Sequence, residues 1–74
     1  MAATRSYKII FANQGRFAVN VLALACDGSW RDAIHRYNGK HDLAVIDVGE
    51  ENAAHLEEML DQDDNVLSYI CTEH

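Results

Sequence analysis

Basic residues are missing from the second part of this chain: after Lys40 there is no Lys or Arg at all. Proline is absent, and so is any linker-like, repeated or low-complexity stretch, so residues 1–74 read as one small domain. The longest apolar run, Val21–Cys26, falls far short of the roughly 20 residues needed to cross a bilayer. No apolar segment of the secretory kind opens the chain, which points to the cytoplasm. Two cysteines, Cys26 and Cys71, make no disulfide framework and are expected as reduced thiols in strands. What is present is globular in character, with 49% hydrophobic and 24% charged residues.

The charge is divided along the chain. Up to Lys40, six basic residues (Arg5, Lys8, Arg16, Arg31, Arg36 and Lys40) outweigh Asp27 and Asp32. From His41 onward there are ten acidic residues, and the net charge of the whole is −6. Such asymmetry points to a charged partner surface, although solubility alone would also be served by it. The acids concentrate in Gly49–Asp64, which reads as an amphipathic helix. Ala53, Ala54, Leu56, Met59 and Leu60 supply an apolar stripe at spacings of three and four. Glu50 and Glu51 in its first turn complement the positive end of the helix dipole. Asp61, Asp63 and Asp64 sit at the other end, where negative charge is unfavourable, so helix stability does not account for them. Glu50, Glu51, Glu57, Glu58 and Asp61 are the candidate partner-binding residues.

The other elements follow from periodicity and turn residues. Met1–Arg5 is expected as a frayed end, and Ser6–Ala12 alternates as a strand with Ile9 and Phe11 opposite Lys8 and Ile10. Asn13-Gln14-Gly15 resembles a hairpin loop with Gly15 left-handed. Arg16–Cys26 is ambiguous. Phe17, Val19 and Val21 alternate as in a strand, whereas Leu22–Ala25 are helix formers and Phe17, Val21 and Leu24 fit a helical face; the turn signal favours the strand. Ser29 then reads as the N-cap of a short helix with Trp30, Ala33, Ile34 and Tyr37 inward, stopped at Asn38-Gly39. Leu43–Val48 reads as a buried central strand and Val66–Cys71 as the last strand. The order is ββαβαβ: an α+β two-layer sandwich, one mixed four-stranded sheet with two helices on one face.

No catalytic constellation emerges. His35, His41, His55 and His74 share no close ligand spacing, and neither cysteine lies in a CxxC pattern, so no metal site or cofactor is expected. His35 reads as the surface partner of Asp32 and His74 as a disordered terminus. Cys26 or Ser29 near His35 lacks any oxyanion-hole signature. Asp27-Gly28-Ser29 lacks the further glycines and the lysine of a phosphate loop. A basic, aromatic face of Arg5, Tyr7, Lys8 and Arg16, with Phe11 and Phe17 nearby, would suit single-stranded nucleic acid, but the net negative charge opposes phosphate.

The segments SYKIIFANQGRF, SWRDAIHRYNG and EENAAHLEEMLDQDD resemble the small transcription regulator of lytic Xanthomonas phages. The likeness lies in overall character and carries no diagnostic motif. It implies a non-enzymatic protein in the infected host cell that binds bacterial RNA polymerase at the N-terminal region of the β′ subunit; a monomer is expected. That binding would inhibit initiation at host promoters and promote read-through of terminators. Two other readings compete: an acidic mimic of nucleic acid, and a small-molecule-binding regulatory domain. No direct nucleic-acid contact and no membrane partner are expected.

Overall fold

In a computed structural model, residues 3–73 are described. The elements run β1 (Thr4–Phe11), α1 (Gly15–Ala25), β2 (Ser29–Ile34), β3 (Asp42–Gly49), α2 (Glu50–Gln62) and β4 (Val66–Glu73). The sheet has the order β2-β3-β1-β4, and every neighbouring pair is antiparallel. Each helix therefore joins two strands that run in the same direction with a third, opposed strand lodged between them. This is a pair of interlocked split βαβ units, the ferredoxin-like arrangement.

The α+β class and the two-layer build agree with the sequence reading. The order does not: it is βαββαβ rather than ββαβαβ, and the sheet is antiparallel rather than mixed. The two early elements exchange identity, and each has a physical reason. Gly15–Ala25 is helical because Val19, Leu22 and Ala23, with the C-cap Cys26, turn inward while Phe17, Val21 and Leu24 turn out. A segment that is apolar on both sides carries no informative period. Ser29–Ile34 is a strand with a bulge at Arg31, so Trp30 pairs with Ile46 and Ala33 with Ala44. The extra residue puts two core-side residues three apart, a spacing that mimics a helix. In the preceding turn Gln14, not Gly15, takes the left-handed conformation, with φ 51°.

One face of the sheet carries the core. Tyr7, Ile9 and Phe11 of β1 and Ala44, Ile46 and Val48 of β3 alternate inward against Val19 and Leu22 of α1 and Ala53, Leu56 and Leu60 of α2. No described helix covers the other face. Ile34, Leu43 and Ile10 line up across three strands there, followed by Asp32, Val45, Lys8 and Ile70. Near its far end Ser6 donates to Asp47, which also receives Arg31 Nε at 2.7 Å.

The Met1–Arg5 reading is corrected where it can be seen. Thr4 and Arg5 are strand residues paired with Gly49 and Val48, and the Ala3 carbonyl accepts the Glu50 N–H at 2.8 Å. Met1, Ala2 and His74 lie outside the described residues. No helix among those described is long and apolar enough to cross a membrane.

Asp42 ties three segments together. This buried carboxylate receives the Gly15 N–H at 2.8 Å, capping α1 from a distant strand, and the Arg36 N–H at 3.0 Å. Its Oδ1 also lies 3.0 Å from His35 Nδ1. His35 therefore pairs with Asp42 and not with Asp32. Gly15 admits no side chain, since a Cβ there would meet Asp42 Cβ at 2.6 Å. The Gly15 and Arg36 N–H groups, more than His35, hold the Asp42 carboxyl below its usual pKa against the opposing effect of burial. A depressed folded pKa contributes stability above the unfolded value of about 3.9 and loses it as pH falls through the folded value. Asp42→Ala leaves two backbone donors without an acceptor and is expected to cost about 2–4 kcal/mol in urea unfolding at pH 7. The difference from wild type should shrink below about pH 4, where the unfolded carboxylate begins to protonate.

Candidate docking surface

The acids of α2 divide into those the fold uses and those it leaves outside. Glu50 meets Arg5 Nη2 at 3.3 Å on the surface. Glu57 is half-buried and accepts the hydroxyl of the fully buried Tyr7 at 2.6 Å. Asp61 accepts the Tyr69 hydroxyl at 2.7 Å. Asp63, which the helix dipole disfavours, accepts the Asn65 N–H at 2.9 Å in the turn into β4. Glu51, Glu58 and Asp64 are exposed and make no ion pair or hydrogen bond with any described residue.

Of the five candidates, then, Glu51 and Glu58 are the unengaged ones. Glu50 is shared with Arg5, and Glu57 and Asp61 hold tyrosines. These tyrosine bonds show in the acidities. Burial first, then the Glu57 bond, pushes the Tyr7 hydroxyl far up; the Asp61 bond chiefly pushes Tyr69 up to about 12.

The basic, aromatic face is not assembled. Tyr7 is in the core, Lys8 is on the uncovered sheet face, Arg5 lies beside Glu50, and Arg16 lies over the Trp30 ring at 5.8 Å to its centroid. Phe11 is core as well, so no aromatic of β1 or β3 points to the uncovered face for a base to stack on. The sequence halves also interleave in space, because β3 pairs with both β1 and β2 and brings Asp47 to Arg31. Tyr37, expected inward, is half-exposed in the β2–β3 loop. Cys26 is buried as expected but caps the C-terminus of α1 rather than lying in a strand, and burial raises its pKa.

Sequence reasoning missed the outer face of α1. Phe17 is 67% exposed, Val21 47% and Leu24 77%, three apolar residues over two turns pointing directly away from the core. Their helical spacing was legible; that it belonged to the outside was not. A groove of about 390 Å³ runs beside this stripe, lined by Gln14, Phe17, Ala18 and Val21 with Asp63 and Asn65 across it. Met59 of α2 is half-buried against the core. The apolar row of α1 and the helix that carries Glu51 and Glu58 pack on the same face of the sheet.

A second cleft, of about 440 Å³, is lined by Gly15, Arg16, Ala33, Ile34, His35 and Asp42. Its carboxylate is committed to Gly15, Arg36 and His35, and among the described residues no nucleophile is paired with the imidazole. Among the described residues no three His, Cys, Asp or Glu side chains are grouped to hold a metal ion.

Two measurements separate the fold's acids from the surface ones. Glu57→Ala strands the buried Tyr7 hydroxyl and is expected to cost about 1–3 kcal/mol, whereas Glu58→Ala should stay within about 0.5 kcal/mol. Tyrosines whose folded pKa is raised stabilise fully below their unfolded value of about 10 and lose that contribution above it, so the urea midpoint should fall as pH rises past about 10. In comparisons with known protein families, curated proteins and solved structures, the chain matches none.

Proposed function

We propose that this chain is a non-enzymatic regulator that acts by docking its helical layer on a cationic surface of a protein partner. The exposed Phe17, Val21 and Leu24 stripe of α1, in the same helical layer as the exposed Glu51 and Glu58 of α2, carries this reading. Exposed apolar anchors are the usual source of long-lived contact, and like-signed charge around them speeds encounter and selects partners of opposite sign. The fold itself hosts many functions and adds no preference.

The partner implied by the sequence resemblance is bacterial RNA polymerase, at the N-terminal region of β′. Binding there would inhibit initiation and promote read-through of terminators. The same surface reading supports a protein partner over mimicry of nucleic acid, since an apolar row has no counterpart in a phosphate backbone. It also supports docking over small-molecule sensing, because the carboxylate in the cleft at Asp42 is already engaged by its own backbone.

Capture of purified bacterial RNA polymerase on immobilised protein at low salt tests the partner. Recovery of the enzyme is expected, with affinity falling roughly tenfold in Glu51→Lys/Glu58→Lys and falling again as ionic strength rises. Failure to recover polymerase at low salt would remove it as the partner.

A further inference from the structure

We infer that the sheet face opposite the helices pairs with the same face of a second copy of this chain, in a two-fold dimer with both helical layers outside. Such a dimer keeps the helical layer free for docking and departs from the monomer expected from the sequence. Ile10, Leu43 and Ile34 form one row across β1, β3 and β2, and Ile70, Lys8, Val45 and Asp32 form the next. Ile34 is 48% exposed and Ile70 57%, while Ile10, Leu43 and Val45 between them are partly exposed. Lys8 and Asp32 stand two strands apart with Val45 between them. Both are exposed, and neither makes an ion pair or hydrogen bond with any described residue.

This face is complementary to itself. Aligned packing about a two-fold axis that runs along the strands, between β3 and β1, lays β1 of one copy over β3 of the other. Ile10 then meets Leu43, and Lys8 comes over Val45, one strand spacing of about 4.8 Å from Asp32 of the second copy. The symmetry makes each contact twice. Charge selects this occupant. On a chain of net charge −6 this face is balanced, with Lys8 and Arg31 against Asp32 and Asp47. A partner of one sign gains nothing from it, whereas a copy meets it with opposite charges in register. The acidic α2 does not oppose the pairing. With the sheets about 10 Å apart and the helices outside them, the two copies of α2 stand more than about 20 Å apart, beyond the Debye length of about 8 Å. Four strands, the longest of eight residues, give each copy a footprint of about 19 by 27 Å. Doubled, this is about 1,000 Å², the lower end for a specific interface, so a Kd on the order of 10 µM is expected.

Sedimentation of the whole chain over about 1–500 µM tests the pairing, read together with amide shifts of the isotope-labelled chain over the same dilution. Wild type is expected to pass from monomer to dimer, with the shifts at residues 8–10, 32–34, 43–45 and 70. Lys8→Asp and Asp32→Lys should each weaken self-association about tenfold or more without lowering Tm, since both side chains are exposed. Mixed together, the two variants should form a mixed dimer, because each then offers the charge that the other lacks. A monomer throughout the range would overturn the inference and leave polymerase docking untouched. A dimer whose shifts fall at residues 16–25 would assign self-association to α1 and overturn it too. Variants that each stay monomeric and fail to pair when mixed would overturn the two-fold register, and self-association unaffected by either variant would do the same.

Discussion

The carboxylate of Asp42 stands where the first residue of β3, the start of α1 and the end of β2 converge. Two backbone donors and a histidine surround it, and Gly15 is the one residue type that lets the helix start come so close. That bond fixes how α1 sets off across the sheet. It therefore determines which side of α1 meets Ile9, Phe11 and Ala44, and which side is left in water. A buried carboxylate without these donors would be costly, so the interaction is as much a requirement as a gain.

Because α1 is anchored in this way, no described element covers the apolar residues on its far side. Phe17, Val21 and Leu24 point away from the core, and the opposite side of α1 is already packed on the sheet. A helix apolar all round is normally enclosed, and here one side is not. The neighbouring helix has the opposite character: its inner stripe is saturated by Leu56 and Leu60 and its outer surface is acidic. Two helices of unlike surface on one layer give a partner both something apolar to bury and something charged to read.

Part of this was legible in the sequence. β1, β3, α2 and β4 follow from clear alternation or a clear helical stripe, as in Tyr7, Ile9 and Phe11 or Ala53, Leu56 and Leu60. Residues 16–34 were not legible, because two-sided apolarity hid the helix and the Arg31 bulge gave β2 a helix-like spacing. The acidic face was visible as composition, but its division was not. Glu57 is bound to Tyr7 fifty residues away, and no local pattern reveals that. The stripe on α1 was visible as a pattern whose side was unknown, since the inward residues Val19, Leu22 and Ala23 are just as apolar.

Site-specific photo-cross-linking to purified bacterial RNA polymerase, from position 17 on α1 and from position 43 on the uncovered sheet face, bears most directly on the helical layer as the docking surface. Adducts are expected from position 17 and not from 43, and they should fade as salt is raised, because α2 contributes attraction that ions screen. Adducts from position 43 alone, or from neither position, would contradict docking of this layer on the polymerase.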